Sequence, residues 1–373
     1  MSDLLPGPFT AGQPTPALVD LLPPLLPPAG ADPVEGIDVV ILVDGLGSRL
    51  LAEHQGHART LRRLGGSTVE GRAVCPSTTA ASLATLMLGV PPLEHGILGY
   101  TVRDPATGRV VPQLTGAEGI DAPMWQPRPG LAELSERRAV HVSAAAHGDS
   151  FLSRAAYRAW GFVGHRSGEE RLGAVLAAIR RAGPDGVVFV HVADVDRAGH
   201  RWGTRSSAWL EALEEADALI GVLLRRLPRG ARVTVTADHG MVDADPGSAV
   251  DLADHAELGA HVAWAAGERR ALMLGCAPGR SETAARTIED RWGDRFVVLR
   301  RAELLDGGFL GPFDRVPSAL TRERAGDLLV LSRGRASMTH TGLLPAHDHP
   351  EVGVHGSLTA EEAMIPVIRT VVG

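Results

Sequence analysis

The sequence predicts an α/β fold, a largely parallel central sheet flanked by helices, with an inserted cap subdomain. Two apolar runs carry that prediction, IDVVILV at 37–43 and GVVFVHV at 186–192. Near-continuous apolar strands belong to parallel sheets covered on both faces. The third observation is alternation: such runs are separated by amphipathic stretches with helical spacing, as in chains of strand–helix–strand units.

In chain order, residues 1–35 are rich in proline, with LLPPLLPPAG at 21–30, and read as an extended arm on the surface. Residues 36–245 and 346–373 form the expected catalytic α/β core. The 37–43 run is its first strand. The stretch 206–227 places Trp209, Leu213, Ala216, Ile220, Leu223 and Leu227 on one helical face, and Pro228-Arg229-Gly230 stops it. A further strand follows at 231–237. Residues 246–345 break the rhythm, with short candidate strands in HVAWAA, RRALMLG, RFVVLR and DLLVLS and a helical piece near 281–292. They read as the inserted cap.

The composition narrows the function. With 373 residues, 44% hydrophobic, the chain can bury a large core. A net charge of −7 makes it a poor candidate for binding a nucleic-acid polymer. An anionic substrate then needs local positive charge, which bound metals supply. Two cysteines, Cys75 and Cys276, are no disulfide framework and fit a reducing compartment. No basic segment precedes an apolar run at the N-terminus, and no run of 18 apolar residues occurs. The expected location is the cytoplasm, away from membranes.

Five segments carry chemistry. In open parallel sheets, functional residues gather on loops at the carboxyl ends of strands. Asp44, in VDGLG, follows the first strand and either binds a metal or caps a helix. In CPSTTAASLATLMLG at 75–89, Thr78 and Thr79 open an apolar helix. A hydroxyl there is a nucleophile beside a phosphate-binding helix end, or a plain cap. Asp196 and His200 stand four apart, so one helical turn puts both on one face, as metal ligands or as an ion pair. Asp194 is the competing carboxylate, read as a hydrogen-bonding neighbour. Asp238-His239-Gly240 ends the 231–237 strand, and the glycine lets the chain turn so that both side chains can face one ion. His355-Gly356 precedes a capping box, Thr359 with Glu362, and His347 and His349 are its rivals as ligands.

Taken in this order, the five segments resemble the alkaline phosphatase superfamily, most closely its nucleotide pyrophosphatase/phosphodiesterase branch. The family's run P-x-x-T, a glycine ten residues on, and then P-x-x-H-G is matched by Pro76-Ser77-Thr78-Thr79, Gly89 and Pro92-Leu93-Glu94-His95-Gly96. That register selects Thr79 as nucleophile. Its D-x-x-x-H is Asp196 to His200, its D-H-G is Asp238-His239-Gly240, and its last H-G is His355-Gly356. The resemblance implies two divalent metal ions, Zn or Mn. One is held by Asp196, His200 and His355. The other is held by Asp44, Asp238 and His239 with the Thr79 oxygen. It implies attack by Thr79 on phosphorus, a phosphothreonine intermediate and release by water. The family often has asparagine twenty-one residues after the nucleophile, touching a phosphate oxygen; here Tyr100 stands there and is expected to bind substrate.

Within the branch, the PST/TTA segment and terminal HG-x-L-T run look most like the actinobacterial cyclic di-AMP phosphodiesterases. The expected partner is a small nucleotide, hydrolysed at a phosphodiester. The alternatives on this scaffold are a phosphomonoesterase, a phosphonate hydrolase or a phosphomutase, and outside catalysis a nucleotide-binding protein. No arginine or histidine pair typical of dedicated monoesterases is evident. Cys276-Ala277-Pro278-Gly279-Arg280 spells the sulfatase pattern C-x-P-x-R, but lies in the cap rather than where Thr79 stands. His95 reads as loop support and His191 as a satisfied core histidine. Trp202, Trp209 and Trp264 read as packing, with base stacking open to one of them.

Overall fold

The computed structural model describes residues 4–10, 17–65, 68–344 and 351–373. Among these, a mixed α/β architecture is built on a seven-stranded sheet in the order Thr68–Arg72, Met364–Val371, Arg232–Thr236, Asp38–Val43, Val187–Val192, Ala139–Ala144, Gly161–His165. Asp38–Val43 pairs in parallel with Val187–Val192 on one side and Arg232–Thr236 on the other. Met364–Val371 runs against both of its neighbours. Six consecutive buried residues in each of the 38–43 and 187–192 strands explain the unbroken apolar runs: both faces are covered by helices.

The register matters more than the strand count. Leu42 lies level with His191 and with Thr236. Two residues further along, Asp44 and Asp238 leave adjacent strands side by side. Adjacent strands are about 4.8 Å apart, so the register by itself crowds two carboxylates together.

The helix Ser207–Arg226 starts where the Ser206 side chain accepts from the Trp209 N–H, and it buries Trp209, Leu213, Ala216, Ile220 and Leu223. A second, six-stranded antiparallel sheet combines Val262–Glu268, Ala271–Cys276, Phe296–Arg300 and Leu328–Ser332 with Thr101–Arg103 and Val110–Pro112. Helix Ser281–Trp292 packs on it through Ala284, Ala285 and Ile288. Its other face shares a buried cluster with Leu93, Leu98, Leu358 and Ala363. The second sheet is therefore fixed to the loops that bear the site.

The proline-rich segment departs from an extended surface arm. Leu18, Leu22 and Leu26 are fully buried, and Ala17–Leu21 is helical. Helix Ala17–Leu21 packs on helix Thr79–Leu88, and Leu26, beyond the helix, joins a separate buried cluster with Ala132, Ala139 and Val187. Among the described residues, no helix is long and apolar enough to cross a membrane.

Candidate active site

Thr79 is the first residue of helix Thr79–Leu88. The two threonines part company there. Thr78 gives its hydroxyl to Glu268, whereas Thr79 Oγ lies 3.1 Å from His239 Nε2. The loops around Thr79 are stitched together. Ser77 N–H donates to Gly356 O at 3.0 Å, and the Ser77 and Ser82 hydroxyls donate to Ser357 O at 2.6 Å and Asp238 O at 3.0 Å.

All seven residues expected to form the metal site come together. Asp44, Asp238 and His239 form one group and Asp196, His239 and His355 another, with ligand atoms within 4.8 Å of one another in each. His239 thus belongs to both groups. His200 closes the ring, its Nε2 lying 3.4 Å from Asp196 Oδ2 and 3.2 Å from His355 Nε2. Gly45 has φ +73° and a Cβ there would come within 3.1 Å of Asp196, while its N–H donates to Asp238 Oδ1 at 3.2 Å. Only glycine allows that turn and that approach together.

The hydrogen bonds orient every imidazole. A carbonyl can only accept, so Nδ1 of His200, His239 and His355 donates to Gly353 O (2.8 Å), Gly240 O (3.0 Å) and Ser77 O (3.0 Å). Each Nε2 lone pair then faces the cluster, as in metal sites whose outer bonds fix the tautomer. Buried oxygens Asp44 Oδ1, Asp196 Oδ1 and Asp238 Oδ2 have no hydrogen-bond partner. Unpaired buried carboxylate oxygens are costly unless a cation faces them. The donor set of three carboxylates and three imidazoles suits a pair of divalent ions.

The electrostatics agree. Burial, then repulsion from Asp238 and Asp196, holds the Asp44 carboxyl well above the usual range, and burial also raises Asp238. Burial and the neighbouring His239 and His200 push His355 well below the ordinary imidazole value. Burial is the largest cause of each, and cations beside the cluster would favour charged carboxylates and a neutral imidazole.

Tyr100 lines a narrow arm of the cleft, about 230 Å³, with Thr79, Glu268, Arg269, Glu351 and His355. Burial raises its phenol, and it pushes the Glu268 carboxyl up to about 8. A wider cavity of about 460 Å³ opens on the other side of Thr79. The two arms share Leu114, Asp196, His200 and Glu351.

Other expectations sort as follows. Asp194 turns away and pairs with Arg171. His347 and His349 lie outside the described residues. His95 supports its loop, accepting from Ile97 N–H and bonding Thr85 Oγ, both at 3.0 Å, and burial holds its pKa down to about 3. Trp209 is core, Trp264 lies under Arg103, but Trp202 is 55% exposed beneath Arg201 rather than packed. His191 is more than a core histidine, since its Nε2 meets Asp44 Oδ2 at 2.7 Å. The strand pairing that sets Leu42 beside His191 is the signal that could have revealed it. Glu268 reaches the cleft from the second sheet, which no local pattern announces.

Residues 39–358 match the sequence profile of the family described as Type I phosphodiesterase / nucleotide pyrophosphatase. The chain belongs to that family. It is thereby a member of the alkaline phosphatase superfamily, whose enzymes use divalent metals. The solved structures it is similar to include murine ectonucleotide pyrophosphatase / phosphodiesterase 5, an inactive threonine-to-alanine variant in complex with AMP. That match is 15% identical, covers 89% of this chain and 87% of that one, and has a TM-score of 0.67. The human ectonucleotide pyrophosphatase / phosphodiesterase 5 is 13% identical over 90% and 87%, TM-score 0.68. Phosphonoacetate hydrolase from Sinorhizobium meliloti 1021, in complex with phosphonoacetate, is 20% identical over 92% of both chains, TM-score 0.68. At these identities, the likenesses show that this family member has their fold. No curated protein sequence matches it significantly.

Proposed function

We propose that the chain is a metal-dependent phosphodiesterase that cleaves a nucleotide phosphodiester through a phosphothreonine at Thr79. One observation carries this reading. Thr79 Oγ stands at a helix start, 3.1 Å from His239 Nε2, on the edge of a cluster whose buried carboxylate oxygens lack partners. Asp44, Asp238 and His239 would hold one ion with the Thr79 oxygen; Asp196, His200 and His355 would hold the other. Such ions, zinc or manganese, lower the pKa of a hydroxyl and offset phosphate charge.

The chain's own groups account for the rest. The free amides at the start of the ten-residue helix Thr79–Leu88 receive phosphate oxygens. The Thr79 oxygen bonds to phosphorus as the bond to one alcohol breaks, and that alcohol departs. Water then cleaves the phosphothreonine and restores the hydroxyl. Tyr100 donates its phenolic hydrogen to a phosphate oxygen. The murine relative, inactive with its threonine changed and solved with AMP, supports both the nucleophile and a nucleotide substrate.

The substrate proposed is a small nucleotide diester in the cytoplasm, with cyclic di-AMP, cleaved to the linear dinucleotide and AMP, the first candidate. The Sinorhizobium neighbour favours a second reading, phosphonate hydrolysis. Near neutral pH Glu268, pushed up to about 8, is largely protonated, so in the narrow arm a substrate carboxylate would meet Arg269 against Glu351 alone, and relative turnover separates the two readings.

The test compares bis-p-nitrophenyl phosphate, p-nitrophenyl phosphate, phosphonoacetate and cyclic di-AMP, with Mn²⁺ and with Zn²⁺. Diesters should turn over fastest, and acid-quenched enzyme should carry phosphate on Thr79 by mass spectrometry. Faster turnover of the monoester or of phosphonoacetate than of every diester would sink the proposal.

A further inference from the structure

Three residues in a row, Glu268-Arg269-Arg270, close the hairpin between strands Val262–Glu268 and Ala271–Cys276, where Glu268 stands opposite Ala271. Two of the three are engaged within the protein. Arg270 is wholly buried and holds Glu362 through two parallel bonds, Nε to Oε1 at 3.0 Å and Nη2 to Oε2 at 2.6 Å. Glu362 also accepts from the Ser357 N–H at 3.0 Å and the Thr359 hydroxyl at 2.6 Å, which ties the turn to the loop after His355. Glu268 accepts from the Thr78 hydroxyl and the Tyr100 N–H, which ties the turn to the residue before Thr79.

The middle residue is different. Arg269 lines the narrow arm with Thr79, Tyr100 and His355, yet among the described residues its guanidinium makes no hydrogen bond and no ion pair. Both glutamates of that arm pass it by: Glu268 is held as above, and Glu351 lies toward His200, with Oε1 3.9 Å from Nδ1. A guanidinium is always charged and offers five donors in a planar fork that matches phosphate or carboxylate. Its counter-ion is then an anion that the ligand brings. Size divides the two arms. The wide arm, about 460 Å³ with Leu83, Leu152, Tyr157 and His147 on its walls, falls within the range of small-molecule pockets, about 300–1,000 Å³. The narrow arm, about 230 Å³, falls below that range and suits a compact charged group rather than a nucleoside.

We infer that Arg269 forms a subsite for a second phosphoryl group of the substrate, beside the one that Thr79 attacks. The inference rests on the phosphodiesterase reading and narrows its substrate class to nucleotides with two phosphoryl groups. In a nucleotide, the anions other than the reacting phosphate are further phosphoryl groups. Cyclic di-AMP carries two; bis-p-nitrophenyl phosphate carries one. The contact is two N–H donors on two phosphate oxygens, and no bond changes at the second phosphorus. Because the turn is fixed on both sides, binding has only the Arg269 side chain to order there.

The experiment follows cleavage of the internucleotide bond by the Mn²⁺-loaded enzyme in the dinucleotide ApA and in its 5′- and 3′-phosphorylated forms, pApA and ApAp. The better phosphorylated form should exceed ApA in kcat/KM by at least about tenfold, mainly through KM, as expected for a charge-assisted contact to a group that does not react. Arg269→Gln should bring that ratio to about one. Arg269→Lys keeps the charge but not the fork and should keep part of the ratio, a value between the two that loss of folding would not give. Since Arg269 makes no bond within the protein, both variants should melt close to the parent. Equal kcat/KM for ApA and both phosphorylated forms in the unaltered enzyme, or a ratio unmoved by Arg269→Gln, overturns the inference and leaves the phosphodiesterase reading standing. Turnover of p-nitrophenyl phosphate or phosphonoacetate with none of the three dinucleotides cleaved overturns both.

Discussion

Asp44, Asp238 and His239 lie wholly inside the protein, while Asp196 and His200 stand at the mouth of the cleft with side chains 14% and 27% exposed. The two halves of the cluster meet the same electrostatic problem with different means. In the buried half, burial raises both carboxyls, Asp238 and Asp196 raise Asp44 further, and Arg197 only partly offsets this. In the open half, burial lowers the His200 pKa, but Asp196, Glu351 and the Gly353 carbonyl outweigh it and raise it overall. Protons can therefore quiet both halves, by charging His200 in the open one and by neutralising the raised carboxyls in the buried one. The difference teaches where binding and chemistry divide: the half that carries Thr79 is the one where a metal must displace protons held by buried carboxyls.

The largest expected effect comes from Thr79→Ala. It removes the attacking oxygen but leaves six other donors, so turnover should fall by roughly 10⁴–10⁶-fold, as when a hydrolase loses its nucleophile. Metal content by elemental analysis should stay near that of the unaltered enzyme. Activity kept within tenfold would refute the nucleophile and remove the reason for placing chemistry in the buried half.

Asp238→Asn against His200→Asn sharpens the comparison itself. Even outer partners of metal ligands cost about 10–100-fold in metal affinity, so loss of a buried ligand should cost at least that. Metal content and activity should drop together in Asp238→Asn. Yet the chelator-stripped Asp238→Asn protein should melt no lower than the stripped parent, because a buried charge beside Asp44 has been removed. His200→Asn should lose metal from the open half only, so that stoichiometry falls from two ions toward one. Identical metal loss and identical melting shifts in the two variants would erase the distinction between the halves.

A smaller effect is expected from pH. In stripped protein, the raised carboxyls of Asp44 and Asp238 bind protons that the unfolded chain does not, so their contribution favours folding as pH falls toward about 4. His355, lowered well below its ordinary value, acts in the opposite sense: the unfolded chain protonates below about 6.5, and stability is lost as pH falls through that value. Cations compete with protons on both kinds of ligand. Added Mn²⁺ should therefore raise Tm more at pH 8 than at pH 5.5, by about 2–4 °C. A larger increment at the lower pH would mean that these side chains are not the ligands.

The same division marks what was legible in the sequence. The buried half is written in strand ends: Asp44 and Asp238 each follow an apolar run by one or two residues, and parallel register does the rest. Spacing on a helix revealed Asp196 and His200 in the same way. What stayed hidden is carried by long-range placement. His191 looked like packing because an alternating strand cannot say which side chain of the next strand it meets. His147 lies on a short 3₁₀ turn and Glu268 on the second sheet, and only the assembled fold brings them to the cleft. The buried leucines of the proline-rich segment were hidden likewise, since prolines between them masked contacts that form only in the assembled fold, Leu18 and Leu22 in the main core and Leu26 with Ala132, Ala139 and Val187.

The smallest effect should come from the other motif that spells a nucleophile. Cys276 ends strand Ala271–Cys276 in the second sheet; its N–H bonds Asp327 and its thiol is pushed up to about 11 by burial and by Asp327. A thiol so raised is almost wholly protonated at pH 7 and is a poor nucleophile. It lines neither arm of the cleft. Thr79, by contrast, meets His239 directly and stands where a developing negative charge would be held by the helix end. Cys276→Ser should therefore leave kcat/KM for bis-p-nitrophenyl phosphate within about twofold, with any cost confined to stability, about 1 kcal/mol or less for a conservative change at a half-buried site. A loss of activity as large as that of Thr79→Ala, at unchanged metal content, would move the chemistry from the central sheet to the second one.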